Sequence, residues 1–268
     1  MEEHYLKNMI TDFSNAADIY GQLASLQQEN YQVLFQLVKE YLKPSNIKKC
    51  ADLGIGDGSG IGLHCLPELR GKQWFGVDLS EGMLRVLRIR NQECSPDLLM
   101  PLLKPLVANA EALPLFSCLD LIISNFTLHW VPNLERAFSE IIAAIKPEGA
   151  FALSFPVAGS LHELEHAWAS IGMKAVHEFP NLEYVKSILS KDQIEVLHFS
   201  KRLIEIQFKS GLELLKWLKL TGARSKSQKN PDLTSGKLRK ALQFLERGED
   251  KKAKITFYMI DVVAIKHL

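Results

Sequence analysis

Between residues 50 and 60 the chain reads Cys-Ala-Asp-Leu-Gly-Ile-Gly-Asp-Gly-Ser-Gly, with glycine at every second position from Gly54 to Gly60. An apolar run stops at Asp52, and after the glycines Gly62-Leu-His-Cys-Leu66 continues in a register a helix can use. The pattern is strand, tight turn, helix, the opening unit of a nucleotide-binding α/β fold. Such a turn needs backbone angles closed to other residues, and a ligand must reach its main chain without meeting a Cβ atom. The dinucleotide fingerprint G-x-G-x-x-G fits in no frame, because its last glycine would fall on Ser59, Ile61 or Leu63. A nicotinamide oxidoreductase is thereby disfavoured.

The remaining pattern extends this unit. Residues 1–20 are polar with apolar anchors at Ile10, Phe13, Ile19 and Tyr20. They lead into an amphipathic helix over about 22–42, which Lys43-Pro44-Ser45 ends. A strand into Gly54 precedes a helix over about 60–69. Gln73–Asp78 is a short apolar strand ending in an acid, twenty positions past Gly58. That is where nucleotide-binding α/β folds place a carboxylate on ribose hydroxyls, and two adjacent donors suit a two-oxygen acceptor. Ser80 caps a helix running to about Gln92, and 93–105 reads as a loop broken by Pro96, Pro101 and Pro105.

Strands at 106–109, 119–125 and 150–155 follow, with an amphipathic helix over 133–145. Alternation over 50–155 predicts a parallel sheet with helices on both faces. Beyond 156 the rhythm changes. Helices are predicted over 160–173, 187–190, 211–221 and 236–247, with a polar loop at 222–235. Weakly alternating strands over 195–208 and 254–265 predict an antiparallel sheet edge.

A length of 268 residues and 47% apolar content suit one α/β domain with additions. The net charge of +1 gives no reason to expect nucleic acid, yet residues 201–254 hold 15 Lys/Arg against 6 Asp/Glu. Cys50, Cys65, Cys94 and Cys118 form no C-x-x-C pair, which reads as free thiols in a reducing compartment. The opening residues lack a signal-peptide pattern and no apolar stretch spans a bilayer. A cytoplasmic protein without membrane partners is expected.

Asp52-Leu-Gly-Ile-Gly56, Gly76-Val-Asp78-Leu-Ser80, Asn109-Ala-Glu-Ala-Leu-Pro114, Ser124-Asn125 and Lys146-Pro-Glu-Gly149 occur in that order. Together they resemble the ordered motifs of class I S-adenosylmethionine (SAM)-dependent methyltransferases. Other segments narrow the resemblance: Phe13-x-x-Ala16-x-x-Ile-Tyr20, Asn125-Phe-Thr-Leu-His-Trp130, Gly159-Ser-Leu-His-Glu-Leu164 and Leu215-Lys-Trp-Leu-Lys-Leu-Thr-Gly-Ala223. These look like the malonyl-[acyl-carrier-protein] O-methyltransferase family of biotin synthesis, the BioC family.

The resemblance implies a Rossmann-like class I methyltransferase fold: a mostly parallel seven-stranded sheet, helices on both faces, an antiparallel edge and helical additions. It implies a single domain over 1–268, with a helical lid at 1–44, a SAM-binding core at 45–155 and substrate-side helices with the last strands at 156–268. The implied activity is methylation of the free carboxylate of a malonyl thioester on acyl carrier protein, or on malonyl-coenzyme A. Methylation of another small carboxylate or metabolite, or a non-catalytic module of the same fold, are the alternatives. The SAM-binding residues would be Asp52, Gly54, Gly56, Asp78, Leu79, Met83, Asn109, Ala110 and Asn125. Tyr20 would stand on the segment that closes over the site. His129 and Trp130 follow the fourth strand at the carboxyl edge of the sheet, where ligands bind. Two departures stand out: Asn109 replaces the usual Asp, and Ile55 and Asp57 interrupt the glycine run. Both loop residues are tolerable if their side chains turn away from the ligand.

A carboxylate nucleophile is ionised near pH 7, so a triad or dyad is not required. His162 and His166 lie one helical turn apart without a third ligand in reach, so no metal is expected. The basic stretch containing Lys216, Lys219, Arg224, Lys226 and Lys229 is either a solvated face or a dock for an acidic carrier protein.

Overall fold

The computed structural model describes residues 2–23, 25–93, 103–174, 178–191, 193–220, 233–247 and 252–267. Two helices come first, α1 (Glu2–Leu23) and α2 (Ser25–Tyr41). The core follows as β1 (Lys49–Leu53), α3 (Ser59–His64), α4 (Pro67–Arg70), β2 (Gln73–Asp78), α5 (Glu81–Glu93) and β3 (Leu103–Val107). It continues through β4 (Leu119–Asn125), α6 (Leu134–Ala144) and β5 (Ile145–Pro156). The last part is α7 (His162–Ala169), α8 (Leu182–Leu189), β6 (Ile194–Phe208), α9 (Gly211–Leu220), α10 (Ser235–Leu245) and β7 (Ala253–Lys266).

The strands form one sheet in the order β3-β2-β1-β4-β5-β7-β6. The first five are parallel; β7 runs antiparallel to β5 and β6 antiparallel to β7. The expected sheet and its antiparallel edge are both present. Alternation along each strand splits the core between two faces. Ala51, Leu53, Ile122, Phe151 and Leu153 pack with Phe138, Ile141, Val185 and Ile188 of α6 and α8. Cys50, Leu121, Ile123 and Ala152 pack with Leu34, Phe35, Val38 and Leu87 of α2 and α5. A third cluster joins α7, α9 and α10 to the start of β7.

Local differences from the sequence reading have physical causes. The helix expected over 60–69 divides at Pro67, which has no N–H to donate and starts α4. The third strand starts at Leu103 and ends at Val107 instead of spanning 106–109. Pro105 is tolerated because β3 is an edge strand, bonded on one side to β2. The short helix at 187–190 begins earlier, at Leu182, because the Asn181 side chain accepts from the Glu183 N–H at 2.8 Å. The helix predicted over 160–173 keeps only His162–Ala169. Cys50, Cys65 and Cys118 are free thiols. Cys94, Arg224, Lys226 and Lys229 lie outside the described residues, as does most of the loop at 222–235. No helix among the described residues is long and apolar enough to cross a membrane.

Candidate active site

Strand order reverses between β1 and β4, and at such a switch point the carboxyl ends of the strands part to leave a crevice. A cavity opens there, with about 740 Å³ of empty space that includes its open mouth. Its floor is the turn after β1. Gly54, Gly56 and Gly58 all have left-handed backbone angles, with φ of +78°, +61° and +76°. The first two answer different demands. A Cβ on Gly54 would overlap the Thr127 side chain, so this glycine permits packing. A Cβ on Gly56 would approach only the Tyr20 ring edge, at 3.6 Å, and would otherwise stand in the cavity. The two unusual residues of the loop do turn away. Ile55 is buried in the core, and Asp57 accepts from the Ser59 N–H at 3.0 Å and pairs with Arg90 at 2.9 Å.

Asp78 stands at the end of β2 on the cavity wall. Its Oδ2 accepts from the Gly56 N–H at 2.9 Å and its Oδ1 from the Ser80 N–H at 2.8 Å. Burial raises its pKa, and the backbone donors of Ser80, Gly56 and Leu79 oppose that rise. Leu79, Met83, Ala108, Asn109 and Ala110 continue the wall. The Asn109 amide is already turned by its own loop: Oδ1 accepts from the Glu111 N–H at 3.0 Å. Asn125, at the end of β4, closes the floor.

The opposite wall comes from α1. Met9, Phe13 and Tyr20 line the cavity together with Trp130. Phe13 meets Trp130 edge-on at 5.8 Å and Tyr20 at 6.4 Å. The helix rests on α5, with Ser14 Oγ 2.9 Å from Ser80 Oγ and Asp18 paired with Arg85 at 2.6 Å. Burial raises the Tyr20 pKa well above the ordinary phenol value, and the charges of Asp57 and Asp78 raise it further. Its hydroxyl therefore keeps its proton.

Of the twelve site residues expected from the sequence, ten line this cavity: Tyr20, Gly54, Gly56, Asp78, Leu79, Met83, Asn109, Ala110, Asn125 and Trp130. Two stand behind the wall. Asp52 is buried beneath the floor, where its Oδ2 accepts from the Tyr31 hydroxyl at 2.8 Å. His129 is buried against Trp130, Phe126 and Phe179, with ring centroids 4.8, 6.3 and 5.6 Å away. Neighbours in the short turn at Leu128–Trp130 point different ways, so Trp130 takes the cavity and His129 the core. Sequence reasoning did not assign Met9, Phe13, Phe126 or Thr127 to the cavity. Met9, Phe13 and Tyr20 sit at helical spacing, which is the signal that would have grouped them.

The methyltransferase domain family matches residues 52–153. A solved phosphoethanolamine N-methyltransferase 2 of Haemonchus contortus, bound to phosphomonomethylethanolamine and S-adenosylhomocysteine, shares the fold. Its TM-score is 0.54 at 17% identity, covering 88% of this chain and 52% of that one. Fold, glycine turn and strand-end carboxylate define a class I SAM-dependent methyltransferase. The chain is 31% identical over 223 residues to the malonyl-[acyl-carrier protein] O-methyltransferase of Methylococcus capsulatus, covering 82% of this chain and 77% of that protein. It belongs to the malonyl-[acyl-carrier protein] O-methyltransferase family. It is also 29% identical to the biotin biosynthesis bifunctional protein BioHC of Saccharophagus degradans, over 85% of this chain and 40% of that protein. The cavity fits the cofactor: a side chain at Gly56 would fill it, and a carboxylate stands at the end of β2.

Proposed function

We propose that this enzyme methylates the free carboxylate of a malonyl thioester on acyl carrier protein, an early step toward the pimeloyl chain of biotin. SAM supplies an electrophilic methyl group on a sulfonium centre. The observation that carries the reading is one cavity lined both by the polar glycine turn with Asp78 and by an aromatic set, Phe13 and Tyr20 of α1 with Trp130. At the polar end Asp78 suits the ribose hydroxyls, and Gly54 and Gly56 let a ligand approach the backbone. Leu79, Met83 and Ala110 offer apolar faces to an adenine ring, while Asn109 and Asn125 offer amides.

At the aromatic end Phe13, Tyr20 and Trp130 line the cavity, and aromatic rings there would exclude water and attract a cationic centre. Tyr20, still protonated, donates a hydrogen bond to the acceptor carboxylate and orients it. That carboxylate is ionised near pH 7, so no residue has to remove a proton. The place of His129 behind the wall agrees with this, and its role becomes support of Trp130. Lys216 and Lys219 are exposed on α9, which lies against α1, the helix that carries Phe13 and Tyr20, and they would be the dock for an acidic carrier.

The test is incubation with methyl-labelled SAM and malonyl carrier protein, read by mass spectrometry. A methyl ester on malonyl but not on acetyl carrier protein is expected. S-adenosylhomocysteine binding without any transfer to malonyl carrier protein or malonyl-coenzyme A would move the acceptor to another small carboxylate.

A further inference from the structure

A largely buried polar chain, whose members other than Asn125 have no part in the proposed reaction, reaches the cavity floor from the far edge of the sheet. On β6, Arg202 pairs with Asp261 of β7, its Nε donating to Oδ2 at 2.5 Å and its Nη2 to Oδ1 at 3.2 Å. Asp261 is 1% exposed. Arg202 Nη2 also donates to Oδ1 of Asn30, which lies on α2 and is 2% exposed. Asn30 Nδ2 donates to Asn125 Oδ1 at 2.6 Å and to Ser154 Oγ at 2.7 Å. Ser154 Oγ in turn donates to Asp261 Oδ1 at 2.5 Å.

These bonds have one consistent direction. A guanidinium only donates, so the Asn30 oxygen must face Arg202 and its nitrogen must face Asn125 and Ser154. The second leg requires the same orientation. Ser154 has a single hydroxyl proton, Asp261 takes it, and Ser154 can then only accept from Asn30. With its oxygen held by Asn30, Asn125 directs its nitrogen to the Gln27 carbonyl at 2.7 Å. Asn125 is the member of this chain on the cavity wall.

We infer that Arg202 is a positioning residue for cofactor binding, setting the amide orientation of Asn125 through Asn30. The inference rests on the reading that Asn125 belongs to the cofactor wall. The experiment is a double-mutant cycle on the Kd for S-adenosylhomocysteine, measured by calorimetry with wild type, Asn125→Ala, Arg202→Lys and the double variant. Arg202→Lys keeps a positive charge against Asp261 but loses the planar fork. Asn125→Ala is expected to weaken binding about tenfold, as loss of one buried hydrogen bond does. Arg202→Lys should weaken binding by a comparable factor in the wild-type background and hardly further in the Asn125→Ala background.

If Arg202→Lys leaves the Kd unchanged, or acts by the same factor in both backgrounds, the relay through Asn30 is wrong. An Asn125→Ala variant that binds normally overturns the cofactor-wall reading and the relay with it. A normal Arg202→Lys beside a weakened Asn125→Ala overturns the relay alone. Should Arg202→Lys fail to fold, Asn30→Asp keeps the acceptor facing Arg202 and removes both donors, and the same cycle is read with it.

Discussion

The Tyr31 hydroxyl donates to Asp52 Oδ2 across 2.8 Å, joining α2 to the end of strand β1 out of contact with solvent. The other oxygen, Oδ1, has no hydrogen-bond partner among the described residues. Burial lifts the Asp52 pKa to about 8, with the Tyr31 bond opposing and the Asp78 charge adding to the rise. The unfolded chain releases this proton near the ordinary carboxylate value of about 4. Between those values the folded form holds more protons, so stability from this group is full at low pH and is lost as pH rises toward 8. The slope is at most about 1.4 kcal/mol per pH unit. Asp52→Asn keeps an acceptor for Tyr31 and removes the titration. Its Tm should gain on wild type between pH 5 and pH 8 and the gap should level off above that; two parallel curves would show that Asp52 does not titrate in this range.

Asp78→Ala should weaken S-adenosylhomocysteine binding by about 1–3 kcal/mol, the cost of leaving polar partners unpaired. Because Asp78 also accepts from Gly56 and Ser80, a smaller loss of Tm should accompany it. Calorimetry decides: an unchanged Kd would remove Asp78 from the ribose site.

The two glycines of the loop should fail in different ways. Gly56→Val places its side chain in the cavity and should abolish cofactor binding, with a left-handed backbone cost of about 1–2 kcal/mol. Gly54→Ala meets Thr127 and should show first as a lowered Tm. Normal binding by a folded Gly56→Val enzyme would place the cofactor elsewhere.

Tyr20→Phe should lower turnover about tenfold or more while leaving the Kd for S-adenosylhomocysteine nearly intact. The hydroxyl orients the acceptor, and capture of the cofactor does not use it. Steady-state kinetics paired with calorimetry separates the two effects, and equal turnover would return Tyr20 to a packing role.

Reversing Lys216, Lys219 and Arg224 to Glu should raise KM for malonyl carrier protein and change activity on malonyl-coenzyme A much less. Rim charges speed encounter and are screened by salt, so added salt should slow wild type on the carrier and barely affect the triple variant. An equal response on both substrates would make this basic stretch a solvated face.

The parts of the molecule legible in the sequence are those written in local periods. Gly54, Gly56 and Asp78 could be placed because a strand, a turn and a second strand fix their spacing within one βαβ unit. Six of the seven strands announced themselves by alternation or apolar runs, and β3 only in its last two residues. What stayed hidden depends on distant partners or single-residue geometry. Arg202 and Asn30 lie 172 positions apart, and neither has a motif. His129 and Trp130 are neighbours in one short turn, and no periodicity says which side chain faces the cavity. Pro105 argued against a strand because the edge position of β3 is set by the whole sheet order.

The aromatic end of the cavity hangs on α1, and α1 is fastened to α5, where a Cβ on Gly82 would sit 2.7 Å from the Ser14 backbone. Met9 and Phe13 thus come from a segment outside the family-matched residues 52–153, whereas the glycine turn and Asp78 come from inside it. On the proposed reading, acceptor choice and donor capture are separable traits. On that reading, selection or engineering would reset the accepted acyl chain through one face of one helix, without rewriting the glycine turn that would hold the methyl donor.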